Sequence, residues 1–169
     1  IVLDDGKIVE EGKHNELINK NGVYAGLYNK EYFYRHVHEI VNKNSGIQYC
    51  ILCSNIKDFK FINELFGLKK GDEVLVKVGE FFNKYLEDDS ICARIENDRF
   101  ALCMPKEKFN EKAIISRLNE FQKQFDNNAF RMHVFIGVYD IENLDEPVSI
   151  MCDKANIAGD TIKNDYNSY

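Results

Sequence analysis

Two apolar runs with almost nothing between them constrain this chain most. Residues 91–95 read Ile-Cys-Ala-Arg-Ile and residues 99–104 read Arg-Phe-Ala-Leu-Cys-Met, with only Glu96-Asn97-Asp98 separating them. Three residues leave no room for a helix or a crossover, so the runs must pair antiparallel around a tight turn. Asn97 suits that turn because Asn tolerates the left-handed backbone conformation better than other non-glycine residues.

Around this hairpin the apolar spacing alternates between helical and extended. Asn29 is placed to cap a helix whose apolar face is Phe33, Val37, Ile40 and Val41. Residues 49–56 read as a buried strand and 58–66 as a short helix stopped by Gly67. Residues 72–86 read as a helix with Val74, Val78, Phe81, Phe82 and Tyr85 inward. Ile114, Leu118, Phe121 and Phe125 mark another helix face. Residues 130–139 read as a long strand with Phe130, Met132, Val134, Ile136 and Val138 on one side, and 148–163 as a final helix. By periodicity alone this order supports an α/β sandwich. The first 25 residues differ in character. Two short apolar runs flank Asp5-Gly6, a hairpin signal, and Lys13-His-Asn-Glu-Leu-Ile18 reads as a short helix.

A length of 169 residues suits one domain with a full core. The formal net charge of -6 argues against a nucleic-acid or anionic-membrane binder, both of which need a basic surface. A nucleotide needs only a local positive pocket. No apolar stretch is long enough to span a membrane, and no signal peptide is recognisable. The five cysteines are expected to be reduced cytosolic thiols. Cys50 and Cys53 form a CxxC inside an apolar run; on a strand, positions three apart face opposite sides, so core packing is expected rather than metal or redox chemistry.

Two resemblances follow from particular motifs. Asn55-Ile-Lys-Asp-Phe-Lys-Phe-Ile-Asn63, Gly71-Asp72 and the hairpin Arg94-Ile-Glu-Asn-Asp-Arg-Phe100 together resemble the two halves of a GGDEF (diguanylate cyclase) site. Gly26-Leu-Tyr-Asn-Lys-Glu-Tyr-Phe33 resembles the segment that opens such domains. The resemblance implies an α+β, palm-like fold, a central mostly antiparallel sheet flanked by helices, shared with nucleotide cyclases. Residues 1–25 resemble instead the C-terminal end of ABC exporter ATPase domains, with Asp5-Gly-Lys-Ile8, Glu11-Gly-Lys-His14 and Gly22-Val-Tyr-Ala25. No GxxxxGK[ST] is present, so the ATP-handling loop of that family is missing. The expected organisation is an N-terminal extension, 1–25, and a degenerate GGDEF domain, 26–169.

An enzyme joining two GTP molecules has to hold divalent cations against the triphosphate, and Mg²⁺ prefers hard oxygen ligands. Set against the family pattern, the metal Asp that ends the first strand is Asn55 here, and the second acid is Lys57. In the signature Glu96-Asn97-Asp98-Arg99-Phe100, Asp98 keeps the metal-binding acid at the third position. Arg99 replaces the Glu at the fourth, and a guanidinium repels a cation and cannot act as a base. Glu96 puts a bulky anion where backbone should approach the triphosphate. The resemblance thus implies no intact catalytic set, with Asp98 a weak residual metal ligand. The base-recognition half is better kept. Asn63 and Asp72 match the family's guanine-contacting Asn and Asp, whose amide and carboxylate can meet the edge of guanine. Phe59 and Lys60 match the residues leading into the phosphate-facing helix start. Asn63 could equally pair with backbone, and Asp72 could simply cap a helix after Gly71.

The product-inhibition pattern Arg-x-x-Asp is absent from its window, Glu87-Asp-Asp-Ser90, and the late phosphate-contacting Lys falls near Asp160. Arg94 matches a common Arg of the family or makes a hairpin contact. His14, His36, His38 and His133 do not group as metal ligands. The expected function is a catalytically inactive regulatory or interaction domain in cyclic di-GMP signalling, with no required cofactor and with GTP or Mg²⁺ as weak ligands. Its expected partner is an adjacent domain of a longer chain, an EAL-type phosphodiesterase or an ABC transporter, or a second copy. Its expected place is the cytoplasm, at the inner membrane face if the parent is a transporter. Two alternatives stay open: a residual cyclase with altered metal use, and the C-terminal piece of an ABC transporter fusion without ATPase activity of its own.

Overall fold

The computed structural model describes residues 2–4, 7–10, 28–44, 46–125 and 131–166, with side chains described from 28 to 161 within those ranges. The hairpin expected at the start forms, as β1 (Val2–Asp4) against β2 (Lys7–Glu10), antiparallel with Asp4 opposite Lys7. The short helix expected from Lys13 and the strand position Phe130 lie outside the described residues.

Asn29 caps α1 (Lys30–Lys43) by accepting the Tyr32 N–H at 2.8 Å. There follow β3 (Tyr49–Ile56), α2 (Phe59–Phe66), α3 (Leu68–Asn83), β4 (Ile91–Glu96) and β5 (Arg99–Pro105). A 3₁₀ turn (Lys106–Lys108) then leads to α4 (Glu111–Lys123), β6 (Val134–Asp140) and α5 (Val148–Tyr166). Among the described residues the main sheet has four strands in the order β4-β5-β3-β6, antiparallel throughout. Tyr28 adds a bridge beside β4: its N–H bonds Cys92 O at 3.2 Å, and its carbonyl accepts the Arg94 N–H at 3.1 Å. This is the α+β, palm-like arrangement expected: a central antiparallel sheet flanked by helices.

The central strand β3 is buried on both faces and feeds two cores. Cys50, Leu52 and Ile56 pack with Val74, Val78 and Phe82 of α3 and with Ile114, Leu118 and Phe121 of α4. Ile51 and Cys53 pack with Phe33, Val37 and Val41 of α1 and with Met151 and Ala155 of α5. Cys50 and Cys53 therefore lie in different cores, as strand alternation requires. Each large apolar side chain fully withdrawn from water in these layers contributes roughly 1.5–3 kcal/mol. Backbone meets backbone between β6 and α5. A Cβ built on Gly137 would fall 1.8 Å from Ala155 O and 2.4 Å from Gly159 N.

Two element starts differ most from the sequence expectation, while α3 ends at Asn83 rather than 86 and α5 runs to Tyr166 rather than 163. Helix α3 begins at Leu68 rather than at 72, because Gly67 (φ 83°) makes the break and the Lys70 and Gly71 N–H groups already bond its carbonyl. Asp72 is therefore inside the helix and does not cap it. Strand β6 begins at Val134 rather than at 130, because Val134 pairs with Ile56, the last residue of β3. Among the described residues no helix is long and apolar enough to cross a membrane.

Candidate functional site

Where β3 runs into α2, and where the β4–β5 hairpin turns beside it, the structure opens a cleft of about 510 Å³. The chain contributes to it from four directions. Asn55 and Ile56 come from the end of β3, Asp58, Phe59, Lys60 and Asn63 from the start and inner side of α2, Leu68, Asp72 and Leu75 from α3, and Arg94, Asn97 and Asp98 from the hairpin.

Local backbone chemistry fixes these positions. Asn97 adopts φ 49°, the left-handed conformation the turn needs, and its carbonyl accepts the Arg94 Nε–H at 2.7 Å. Asp98, next in the turn, accepts the Ile56 N–H on Oδ2 at 3.0 Å, which ties the hairpin to the end of β3. Asp58 takes φ 54° ahead of α2, and its carbonyl receives the Phe61 N–H at 2.8 Å while its carboxylate makes no cap. Asn63 reaches the cleft across Gly71, a buried position of α3 with no side chain to obstruct it. Lys60 is 90% exposed and stands 3.6 Å from Glu64. Burial pulls the Arg94 guanidinium below its ordinary value, while the nearby Asp72 and Asp98 carboxylates act in the other direction. It stays charged, because guanidinium titrates far above neutrality.

Of the residues singled out in the sequence, the fold brings Asn55, Phe59, Lys60, Asn63, Asp72, Asn97 and Asp98 to this one cleft. It does not bring Lys57, Glu96, Arg99 or Phe100. Lys57 donates its backbone N–H to His133 O at 2.8 Å, and it is not among the lining residues. Phe100 is core, 1% exposed and stacked on Phe82 at 6.0 Å between centroids. Glu96 and Arg99 correct the sequence expectation. They pair with each other across the hairpin at 3.7 Å and line a separate cavity of about 80 Å³ with Lys30, Tyr34, Cys53 and Asp153. A register shift between Arg94 and Glu96 takes Glu96 off the Arg94 face, and alternation along β5 places Arg99. Phe100 points into the α3 core, so Arg99 must point to the other face, where α1 and α5 pack. The obstruction expected of Glu96 and the cation repulsion expected of Arg99 are thus turned away from the cleft. The sequence does not point to Ile56, Asp58, Leu68 or Leu75 as lining residues, and it offers Arg94 two roles. Arg94 could have been found by the same alternation, since it shares a strand face with Cys92.

The two divalent cations implied by the resemblance would need this donor set to hold them. Asp58, Asp72 and Asp98 come from three different elements, Asn55 is neutral, and Asp98 already accepts a backbone N–H. Arg94 places a fixed positive charge in the same cleft. Among the described residues no three His, Cys, Asp or Glu side chains converge as metal ligands. These residues do not fit a two-cation site, which needs several hard oxygen donors around each ion.

The window that lacks Arg-x-x-Asp is internally bonded: Ser90 Oγ accepts the Glu87 N–H at 2.6 Å, and Lys108 reaches Glu87 at 2.6 Å and Asp89 at 2.7 Å. Asp160 is exposed on α5 and does not line the cleft. His36 bonds Tyr32 O through Nδ1 at 2.8 Å, and His14 lies outside the described residues.

Comparison with known proteins gives a consistent family signal over most of the chain. The family model described as diguanylate cyclase, GGDEF domain, matches residues 23–168. A probable diguanylate cyclase of Escherichia coli (strain K12), DgcT, is 26% identical over 100 residues, covering 57% of this chain and 22% of that protein. An ATP-dependent lipid A-core flippase of Bordetella pertussis is 62% identical, but over only 32 residues, which is 19% of this chain and 5% of the flippase. The chain thus spans well under a third of the length of either protein. The diguanylate cyclase SiaD of Pseudomonas aeruginosa, solved with its activator SiaC, superposes with a TM-score of 0.69 at 19% identity, over 89% of this chain and 62% of that one. The coiled coil and GGDEF domain of DgcB from Caulobacter crescentus, solved with c-di-GMP, gives 0.67 at 17% identity, over 89% of this chain and 85% of that one. At these identities the structural likeness speaks for the fold alone.

Proposed function

The chain belongs to the diguanylate cyclase GGDEF domain family, and from that premise we propose that it is a member without cyclase turnover whose cleft binds a guanine nucleotide and biases an adjacent domain in cyclic di-GMP signalling. The single observation that carries the reading is the split state of the cleft. Asn63 and Asp72, the pair suited to the edge of guanine, converge from α2 and α3, while the acidic half beside them is reduced to Asn55 and an Asp98 already engaged by Ile56. An amide that donates and accepts, next to a carboxylate that accepts from N1–H and the exocyclic amine, is a set guanine can satisfy and adenine cannot. The apolar side chains of Phe59, Leu68 and Leu75 supply the walls a purine ring needs.

A ligand in this cleft touches β3, α2, α3 and the hairpin together. It would shift a neighbouring domain only by binding the two arrangements of that neighbour unequally. The neighbour this reading favours is a domain of the same longer chain, an EAL-type phosphodiesterase or a transporter, with residues 1–25 as an extension ahead of the folded domain.

Calorimetric titration with guanine and adenine nucleotides tests the reading, alongside a turnover assay with Mg²⁺ and Mn²⁺. Guanine-selective heat that is lost in Asn63→Ala/Asp72→Ala, without cyclic di-GMP formation, is expected. Formation of cyclic di-GMP that Asp98→Ala abolishes would instead identify a residual cyclase.

A further inference from the structure

Resting on the guanine-binding reading above, we infer that the cleft takes a guanine ligand carrying few phosphates, guanosine or its monophosphate, in preference to the triphosphate, and that magnesium does not reverse this order. The inference comes from the charges that face the cavity. Three carboxylates, Asp58, Asp72 and Asp98, line it against two cations, Lys60 and Arg94. Both cations are already partly engaged. Arg94 is held by Asn97 O and flanked by Asp72 and Asp98, and Lys60 projects into solvent beside Glu64. Asp58 sets an anion at the start of α2, so the positive end of that helix is already opposed by a fixed negative charge.

A purine base and ribose carry no charge to set against these carboxylates. Each further phosphate adds about one negative charge that has to be accommodated a few ångströms from the three carboxylates. A divalent cation could offset that repulsion only where several protein oxygens help to hold it. Here Asn55 is neutral, and the three carboxylates come from different elements and, among the described residues, do not group as ligands of one ion. Mg²⁺ bound to GTP in solution reduces the triphosphate charge, but among the described residues the cleft holds no grouped set of acidic ligands to draw it in.

Titration of the whole chain with guanosine, GMP, GDP and GTP, each with and without Mg²⁺, tests this, with Asp72→Ala as the base-recognition control. Affinity is expected to fall along the series, with GTP roughly tenfold or more weaker than GMP in the absence of Mg²⁺. GTP is expected to remain no tighter than GMP in its presence. Asn55→Asp is expected to gain Mg²⁺-dependent GTP binding, because it restores a second carboxylate beside Asp98. GTP binding as tightly as GMP without metal, or overtaking it with Mg²⁺, would overturn the inference while leaving guanine recognition intact. Silence from all four ligands, or heat unchanged by Asp72→Ala, would remove the guanine reading itself.

Discussion

The side-chain amide of Asn63 lies over the Cα of Gly71, so close that a Cβ at position 71 would come within 1.8 Å of Asn63 Oδ1 and 3.0 Å of its Cγ. The glycine is what lets an amide on α2 reach the cleft across α3. The atom it would strike is the end of a side chain, which can rotate away. Gly71→Ala should therefore leave the domain folded, costing about 1 kcal/mol or less. It should nonetheless weaken guanine binding nearly as much as Asn63→Ala does. Thermal unfolding and calorimetry on the same preparations compare the two effects. Binding left at the wild-type level would show that the Asn63 orientation is not what the ligand reads.

Gly137 presents the contrasting case. Its missing Cβ would strike Ala155 O and Gly159 N, both backbone, so nothing can rotate out of the way. Gly137→Ala should cost about 3 kcal/mol or more through separation of α5 from β6. Urea unfolding midpoints would measure it, and Gly46→Ala, at a position with open space around it but φ 99°, gives a reference for backbone strain alone.

Asp98 separates structural from ligand roles. Its Oδ2 accepts the Ile56 N–H, and removal of the acceptor leaves that part-buried donor unpaired. Asp98→Ala should lower stability by about 1–3 kcal/mol, whereas Asp98→Asn keeps an acceptor oxygen and should lose much less. Equal losses in the two variants, measured by denaturant unfolding, would point to the charge rather than to the hydrogen bond.

The cysteines should be chemically silent in the native state. All five are free and buried, and burial pushes the Cys50 thiol up to about 12 and the Cys103 thiol upward as well. For these two the reactive thiolate is therefore scarce at neutral pH, and burial shields the others from reagent. A chromogenic thiol reagent should titrate essentially none of them until denaturant is added. Rapid modification of the folded chain would mean that one of the two cores opens readily.

Much of the architecture was legible in the sequence because it rests on local periodicity. The hairpin of residues 91–104, the buried strand Tyr49–Ile56 and the cap at Asn29 follow from spacing and residue type. The starts that shifted have different causes: β6 starts where β3, distant in sequence, supplies a mate, whereas α3 starts directly after the Gly67 break, although Leu68, Lys69 and Lys70 are exposed and give no core-facing signal. At the site, residue identities were legible but their orientation was not. Glu96 and Arg99 read as damage to the cleft when taken as letters of a motif. The alternation set by Phe100 sends Arg99 to the opposite face, where the two charges meet each other. The role of Gly71 could not be read at all, because it exists only once α2 lies across α3.

The contact between Gly137 and Gly159 has a mechanical consequence. With backbone against backbone, α5 can neither slide along nor roll over β6 without collision, so the seam acts as a rivet rather than a bearing. Strand β6 is in turn laced to β3 from Cys50 to Ile56, and Asn55 stands on that stretch. A push or twist delivered to the last helix is therefore expected to arrive at the rim of the cleft undiminished, carried by a stiff beam that has no joint along its length.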